Sequence, residues 1–273
     1  MPGSAFGRGM RLELAPDEIH LWCACHEDIR GPDLEAAYRR LLSPAERTRQ
    51  QRFHFDRDRH RFLVTRAMVR AVLSRYASIL PEDWEFAANA HGRPHIANAD
   101  ADCTGLTFNV SHTDGLIALG VARAMRLGVD TEFLSARTAV LEIAPGFFAP
   151  AEVADLQALP AGLRQYRFFE YWTLKESYIK ARGEGLSIPL DQFGFTLHGE
   201  RGLVLSTDPR QVDTAAAWRF QQFRLSPTHL VAVCSDTASI GNVCTTIRTV
   251  VPLRSEQVLE LRPTRCSQST GMP

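Results

Sequence analysis

Three side chains in one short stretch have the types and spacing of a reaction centre. The run from Trp172 to Leu186, WTLKESYIKARGEGL, places Lys175, Glu176 and Lys180 on a helix that Gly183 and Gly185 then end. Glu176 and Lys180, four residues apart, share a face, whereas Lys175 lies about 100° round from Glu176. A carboxylate beside two ammonium groups suits a magnesium–polyphosphate site. The carboxylate takes the hard cation and the lysines take phosphate oxygens. A Glu–Lys pair at this spacing is also ordinary on a solvated helix, so the pair alone decides nothing.

Two upstream patches add weight. Residues 106–115 read LTFNVSHTDG and residues 127–132 read LGVDTE. In the second, Val129 and Thr131 alternate with Asp130 and Glu132, a strand period that projects both carboxylates from one face. Two carboxylates on a half-buried strand resist joint ionisation unless a cation lies between them. With Glu176 as a third oxygen ligand they form a candidate magnesium site, leaving positions for water and phosphate oxygens.

In this order the patches resemble the signatures of the 4′-phosphopantetheinyl transferase superfamily, in particular its long single-chain class typified by the surfactin-synthetase activator. The matching segments are HGRPHI (91–96), FNVSHTDG (108–115), LGVDTE (127–132), FFAPAE (147–152) and YWTLKESYIKARGEGLSIPL (171–190). The likeness runs from about Ile19 to Cys234, and FNVSH together with WxxKESxxK is specific. Departures are few. Thr131 stands where the family often has Ile or Val, the loop NADADCTG is longer, and Glu46 stands where relatives often carry Lys, with Arg49 as the substitute phosphate contact.

The resemblance implies a holo-acyl-carrier-protein synthase type of enzyme. It would transfer the phosphopantetheine arm of coenzyme A, the co-substrate, to a serine of an apo acyl carrier or peptidyl carrier protein, releasing 3′,5′-ADP. Asp130, Glu132 and Glu176 would hold Mg2+, with Glu176 and Lys180 catalytic. Glu176 and a metal-bound water are rival bases, because magnesium lowers the basicity of a coordinated carboxylate. Lys175 would join Lys180 at the phosphate oxygens. Arg66 and Arg93 would meet the coenzyme A phosphates, with Ser111 and His112 at the nucleotide phosphates or adenine. Outside this motif His112 reads as a structural histidine capping a turn. Two other functions fit parts of the pattern. One is a non-catalytic coenzyme A or carrier-protein binding module, and the other is a magnesium-dependent phosphohydrolase.

Composition sets limits. The chain has 273 residues, 45% of them hydrophobic, and a formal net charge of +0, which suits a globular protein and argues against an extended nucleic-acid surface. No apolar run reaches the length of a membrane span, and MPGSAFGRGMRLEL lacks the apolar core of a secretory signal, so no membrane association and a cytoplasmic location are expected. Cysteines 23, 25, 103, 234, 244 and 266 show no CxxC pairing and are expected to be reduced. Cys23-Ala-Cys25-His26 could hold zinc, but IHLWCAC alternates as a strand, which favours packing.

The elements that must position these groups form two similar halves. The first reads as a strand IHLWCAC, helices over 34–42, 44–55 and 60–79, and strands over 106–111 and 115–122. The second reads as a strand over 127–132, helices over 150–158 and 162–182, and strands near 193–198, 202–206, 217–224 and 229–235. The arginine-rich stretch from Arg47 to Arg75 contains the amphipathic run FLVTRAMVRAVLSRY. The family resemblance implies an α+β fold of two halves related by a pseudo-twofold, with the active site in the cleft between them. The expected division is a flexible segment 1–18, halves 19–125 and 126–236, and a tail 237–273. In the tail, 246–253 could add an edge strand and residues from about 263 are expected to be disordered. A chain carrying both halves needs no second copy, so a monomer is expected.

Overall fold

The computed structural model describes residues 4–5, 11–134, 140–185, 188–207, 214–236 and 243–267. Strands β1 (Ser4–Ala5) and β2 (Glu18–Cys25) lead into helices α1 (Pro32–Leu41), α2 (Pro44–Gln51) and α3 (Asp56–Leu73). A small hairpin, β3 (Phe86–Ala88) and β4 (Pro94–Ile96), precedes β5 (Leu106–His112) and β6 (Leu116–Arg123). The second half runs β7 (Leu127–Phe133), α4 (Val140–Ile143), α5 (Pro150–Ala158), α6 (Ala161–Arg182), β8 (Phe193–His198), β9 (Gly202–Thr207), β10 (Trp218–Ser226) and β11 (His229–Asp236). The chain then adds β12 (Cys244–Val251), β13 (Ser255–Leu259) and β14 (Arg265–Ser267).

One sheet has the order β1-β13-β12-β2-β6-β5 and the other β7-β11-β10-β14-β9-β8. Each half uses the same connectivity. Its first strand (β2 or β7) pairs antiparallel with its last (β6 or β11), which forms a hairpin with the strand before it. The helices lie between the first strand and that hairpin in both. The fold is therefore α+β with two repeated halves, as the family resemblance implied.

Burial on both faces explains why β2 is apolar almost throughout. Trp22 and Ala24 join the cluster under α1 and α3, where Leu63, Ala67 and Leu73 pack. Ile19, Leu21 and Cys23 point the other way and meet Val129, Val231 and Val233 between the two sheets. Cys25 is exposed, so only one of the two β2 cysteines is a packing residue. The helix read over 60–79 stops at Leu73, and the Tyr76 hydroxyl beyond it accepts from the buried Trp22 Nε1 and shares a hydrogen bond with His20 Nδ1.

Both chain ends differ from expectation. Residues 11–18 are not a loose leader: Leu12 and Leu14 pack on the first core, and the Leu12 N–H donates to the Arg75 carbonyl. The expected edge strand 246–253 is β12, flanked by β2 on one side and β13 on the other. Residues 265–267, expected to be disordered, form β14 between β10 and β9. The physical reason is Arg265. Its Nε donates to Glu170 Oε1 at 2.8 Å and its Nη1 to the Gly199 carbonyl at 3.0 Å. Glu170 is itself buried in α6 and takes a second partner in Arg167.

Arg265→Met leaves Glu170 short of one cation in a buried position. It should lower the unfolding free energy by about 2–4 kcal/mol in a denaturant titration. An unchanged midpoint would mean that β14 contributes nothing to the fold.

Candidate active site

The site begins with one close approach. A Cβ on Gly128 would stand 1.9 Å from the Ser177 carbonyl oxygen and 2.5 Å from the Ala181 nitrogen. Strand β7 therefore lies directly against the backbone of α6, and only glycine fits there. Because strand side chains alternate, Asp130 and Glu132 share the Gly128 face toward α6, while Leu127 and Val129 enter the core between the sheets. The Thr131 hydroxyl donates to the Leu230 carbonyl of β11.

Two further contacts fix this approach. The Val129 N–H donates to Asn109 Oδ1 at 2.7 Å, a side-chain bond from β5 that joins the two sheets where no ladder does. The β3–β4 turn closes the end of α6. Arg93 donates to the carbonyls of Lys180 (2.6 Å), Ala181 (2.7 Å) and Leu127 (2.8 Å), and Asn89 donates to Gly183, the left-handed cap residue. These bonds satisfy carbonyls that a helix end leaves without partners.

On the facing surfaces, Lys180 Nζ lies 2.6 Å from Asp130 Oδ1 and donates to Ser111 Oγ at 3.0 Å; Ser111 in turn donates to Asp130 Oδ1. Asp130 Oδ2 is buried with no hydrogen-bond partner. Burial, and then the Asp130 charge, push the Glu132 carboxyl up to about 7, with Glu176 adding to the effect and Lys180 and a Trp172 hydrogen bond opposing it. Burial and Asp130 likewise raise Glu176, against the pull of Lys180. Three carboxylates thus face one ammonium, a surplus of negative charge in a partly dry place.

Asp130, Glu132, Lys180, Ser111 and His112 line a cleft of about 1000 Å3. Glu46, Arg49, Arg61, Arg66 and Arg70 from α2 and α3 line the same cleft. Arg49 and Arg66 are therefore where an anion in the cleft would meet them. His112 is exposed at the rim.

Two residues expected at the phosphates are elsewhere. Lys175 is buried in the second core, with Nζ 2.8 Å from Glu152 Oε2 and donating to the Leu190 and Phe193 carbonyls. Burial lowers its pKa and raises that of Glu152, each drawn back by the other. The 100° between Lys175 and Glu176 is enough to turn Lys175 off the cleft face and into the core of the second half. Arg93 is spent on the helix carbonyls described above and lies outside the cleft lining. Ser111 is correspondingly tied to Asp130 and Lys180 rather than held for a nucleotide.

Sequence reasoning passed over Glu152, Asn109 and Arg70. Glu152 carried a readable signal, because Ala-Pro-Ala-Glu (149–152) places a glutamate at the third helical position. Its Oε2 accepts from the Ala149 N–H, as in a capping box. Nothing local marks Asn109 or Arg70, whose partners are remote in sequence.

The oxygen donors fit a hard divalent cation: the ligand chemistry is all carboxylate, one buried Asp130 oxygen has no partner, and the neighbouring carboxyls have raised pKa values. Among the described residues no three His, Cys, Asp or Glu side chains already converge as a metal cage. Also among these residues, no helix is long and apolar enough to cross a membrane.

Comparison with known proteins accords with this arrangement. Residues 126–234 match the family model described as 4′-phosphopantetheinyl transferase superfamily, and residues 32–123 match 4′-phosphopantetheinyl transferase, N-terminal. The 4′-phosphopantetheinyl transferase HetI of Nostoc sp. is 34% identical over 209 residues, covering 76% of this chain and 83% of that protein. The 4′-phosphopantetheinyl transferase Sfp of Bacillus subtilis is 32% identical over 195 residues, covering 71% and 82% respectively.

Two outcomes follow from the geometry. Gly128→Ala must push β7 off α6, so it should cost stability and separate Asp130 from Lys180; folding midpoint and activity should both drop. Retention of both would mean the strand and helix can part freely. The second outcome concerns pH. Glu132 has a folded pKa above its ordinary value, so it favours the folded state while protonated, and that contribution is lost as pH rises through about 7. In chelator, the melting temperature should fall from about pH 5 to about pH 8 more steeply for the native protein than for Glu132→Gln, and added Mg2+ should restore it chiefly at the upper end. Parallel curves for the two proteins would contradict the assigned pKa.

Proposed function

This chain belongs to the 4′-phosphopantetheinyl transferase superfamily, and on that premise we propose that it transfers the phosphopantetheine arm of coenzyme A to a serine hydroxyl of an apo acyl or peptidyl carrier protein. An acyl carrier acceptor makes it an enzyme of the holo-acyl-carrier-protein synthase type. The observation that carries this reading is the pairing of a carboxylate cluster with an arginine-lined wall in one cleft. The first suits the cation of a metal diphosphate and the second suits its phosphates.

Asp130, Glu132 and Glu176 are the side chains that would hold Mg2+, which when bound would supply positive charge against the negative charge growing on the bridging oxygen that leaves with 3′,5′-ADP. Arg49 and Arg66 bind phosphate oxygens and orient coenzyme A along the cleft. The carrier serine Oγ forms a bond to the β-phosphorus as the bond from that phosphorus to the bridging oxygen breaks. The electron pair leaves with 3′,5′-ADP, and the serine proton passes to Glu176. Burial and then Asp130 raise the Glu176 carboxyl above its ordinary value, which favours its accepting that proton. Lys180, already 2.6 Å from Asp130 Oδ1, keeps an ammonium beside the reacting phosphate and holds Asp130 in place. Both walls of the cleft come from one chain, which supports a monomeric working form, and we place the enzyme in the cytoplasm with its carrier partner.

The test is to incubate the protein with coenzyme A, Mg2+ and an apo carrier protein and to weigh the carrier. A gain of one phosphopantetheine unit, abolished by chelator, is expected. No gain with several carriers while coenzyme A stays bound would instead indicate a binding module, and 3′,5′-ADP released without a carrier would indicate a hydrolase. Asp130→Ala and Glu176→Ala should each lower turnover by about 100-fold or more. Lys180→Ala should lower turnover with the fold retained, while Lys175→Ala should lower stability first.

A further inference from the structure

Glu46 is a carboxylate in the basic wall of the cleft, where its charge repels an anionic substrate. Its side chain is only 14% exposed, and it is fully engaged. One carboxylate oxygen accepts from Arg66, through both Nε and Nη2. The other accepts from Arg70, through Nε at 3.1 Å and Nη2 at 2.8 Å. The same oxygen also accepts from the Ser43 N–H at 2.9 Å, closing a capping box at the start of α2. Burial works to raise the pKa of Glu46, but Arg66, the Ser43 N–H and Arg70 outweigh it and hold it below the ordinary value. Glu46 is therefore an anion at this wall.

The two arginines it joins are not equivalent. Arg70 is 2% exposed and also donates to the carbonyls of Pro81, Glu82 and Trp84, so it is part of the core. Arg66 has its guanidinium 4.8 Å from the Phe86 ring centroid. With Nε and Nη2 committed to Glu46, its Nη1 makes no hydrogen bond to the described residues. A planar fork held on one edge by a carboxylate and on one face by an aromatic ring has one orientation left. An arginine left free on a helix would lose rotamer freedom on binding phosphate, and this one has lost it beforehand.

We propose that Glu46 is a positioning residue for coenzyme A binding: it locks the Arg66 guanidinium on Phe86 so that the Nη1 edge is presented to a phosphate group in the cleft. This rests on the reading of the cleft given above. It replaces the simpler view of Glu46 as a missing phosphate contact. The cost in net charge is offset by a donor already in place, and the buried Arg70 keeps Glu46 from swinging into the cleft itself.

The experiment compares Glu46→Gln, Arg66→Ala and the double variant, using coenzyme A with a saturating carrier protein and measuring KM and kcat separately. Glutamine retains the reach and one acceptor, so α2 keeps its cap; circular dichroism and the melting midpoint check the fold. If Glu46 acts through Arg66, Glu46→Gln should raise KM for coenzyme A about tenfold with kcat within about twofold. The double variant should then be no worse than Arg66→Ala alone. A raised KM in Arg66→Ala with an unchanged or lowered KM in Glu46→Gln would overturn the positioning role and leave the site reading standing. Independent, multiplying losses in the double variant would also overturn it. Unchanged KM in Arg66→Ala would remove Arg66 from the coenzyme A wall, and the proposal with it.

Discussion

The contact of β7 with the backbone of α6 at Gly128 is the constraint on which the rest of the site depends. A side chain there would collide with the Ser177 carbonyl, so strand and helix meet closer than any residue but glycine allows. Two residues along the strand, Asp130 then meets Lys180 without a long reach from either. Ser177 and Ala181 are the small residues that this approach requires on the helix side. Asn109 and Arg93 bind the arrangement from above and from the end, one by joining the sheets and the other by holding the last helical carbonyls. Each bond lies in a different element, so a site at the surface is supported by contacts from both halves.

The charges in this protein are divided into those that are matched and those that are not. Lys175 with Glu152, Glu170 with Arg167 and Arg265, and Glu46 with Arg66 and Arg70 are buried or half-buried sets in which each carboxylate is met by at least one cation. Such sets specify geometry more than they add stability, because desolvation consumes much of the Coulomb gain. The group of Asp130, Glu132 and Glu176 is different, with one ammonium for three carboxylates. The imbalance appears as a Glu132 pKa near 7 and an unpartnered Asp130 oxygen. Perturbed carboxyls of this kind cluster at functional sites, and a divalent cation is the charge that would relieve the imbalance.

Much of this was legible in the sequence, and the failures have physical causes. The alternation in LGVDTE gave the correct face for Asp130 and Glu132, and the four-residue spacing of Glu176 and Lys180 put them together on α6. Lys175 was misread although its spacing was informative: Phe168, Tyr171 and Tyr178 lie seven, four and three residues from it, a stripe that enters the core. A buried lysine breaks the rule that charges face water, and only its partner Glu152, 23 residues upstream and on another helix, explains it. Arg93 was placed by charge type, but its role comes from meeting a helix end that only the folded chain brings to it. The apolar run 246–253 gave β12 but not its interior place in the sheet, and β14 is too short to show a period of its own, its pairing coming from neighbours already in place.

The tail then bears on the cleft. β12 runs parallel to β2 in the sheet of the first half, and β14 enters the sheet of the second between β10 and β9. One segment after the second half is therefore built into both sheets. Its anchor in the second, Arg265, ends on Glu170 in α6, ten residues and nearly three turns from Lys180. A cleft lined by residues of both halves keeps its width only if the halves stay in register. The shared core between the sheets does part of this, through Val129, Val231 and Leu21. The returning strands do the rest by crossing from one sheet to the other, so that opening the cleft by separating the sheets would strain or break the pairing at one end of the tail.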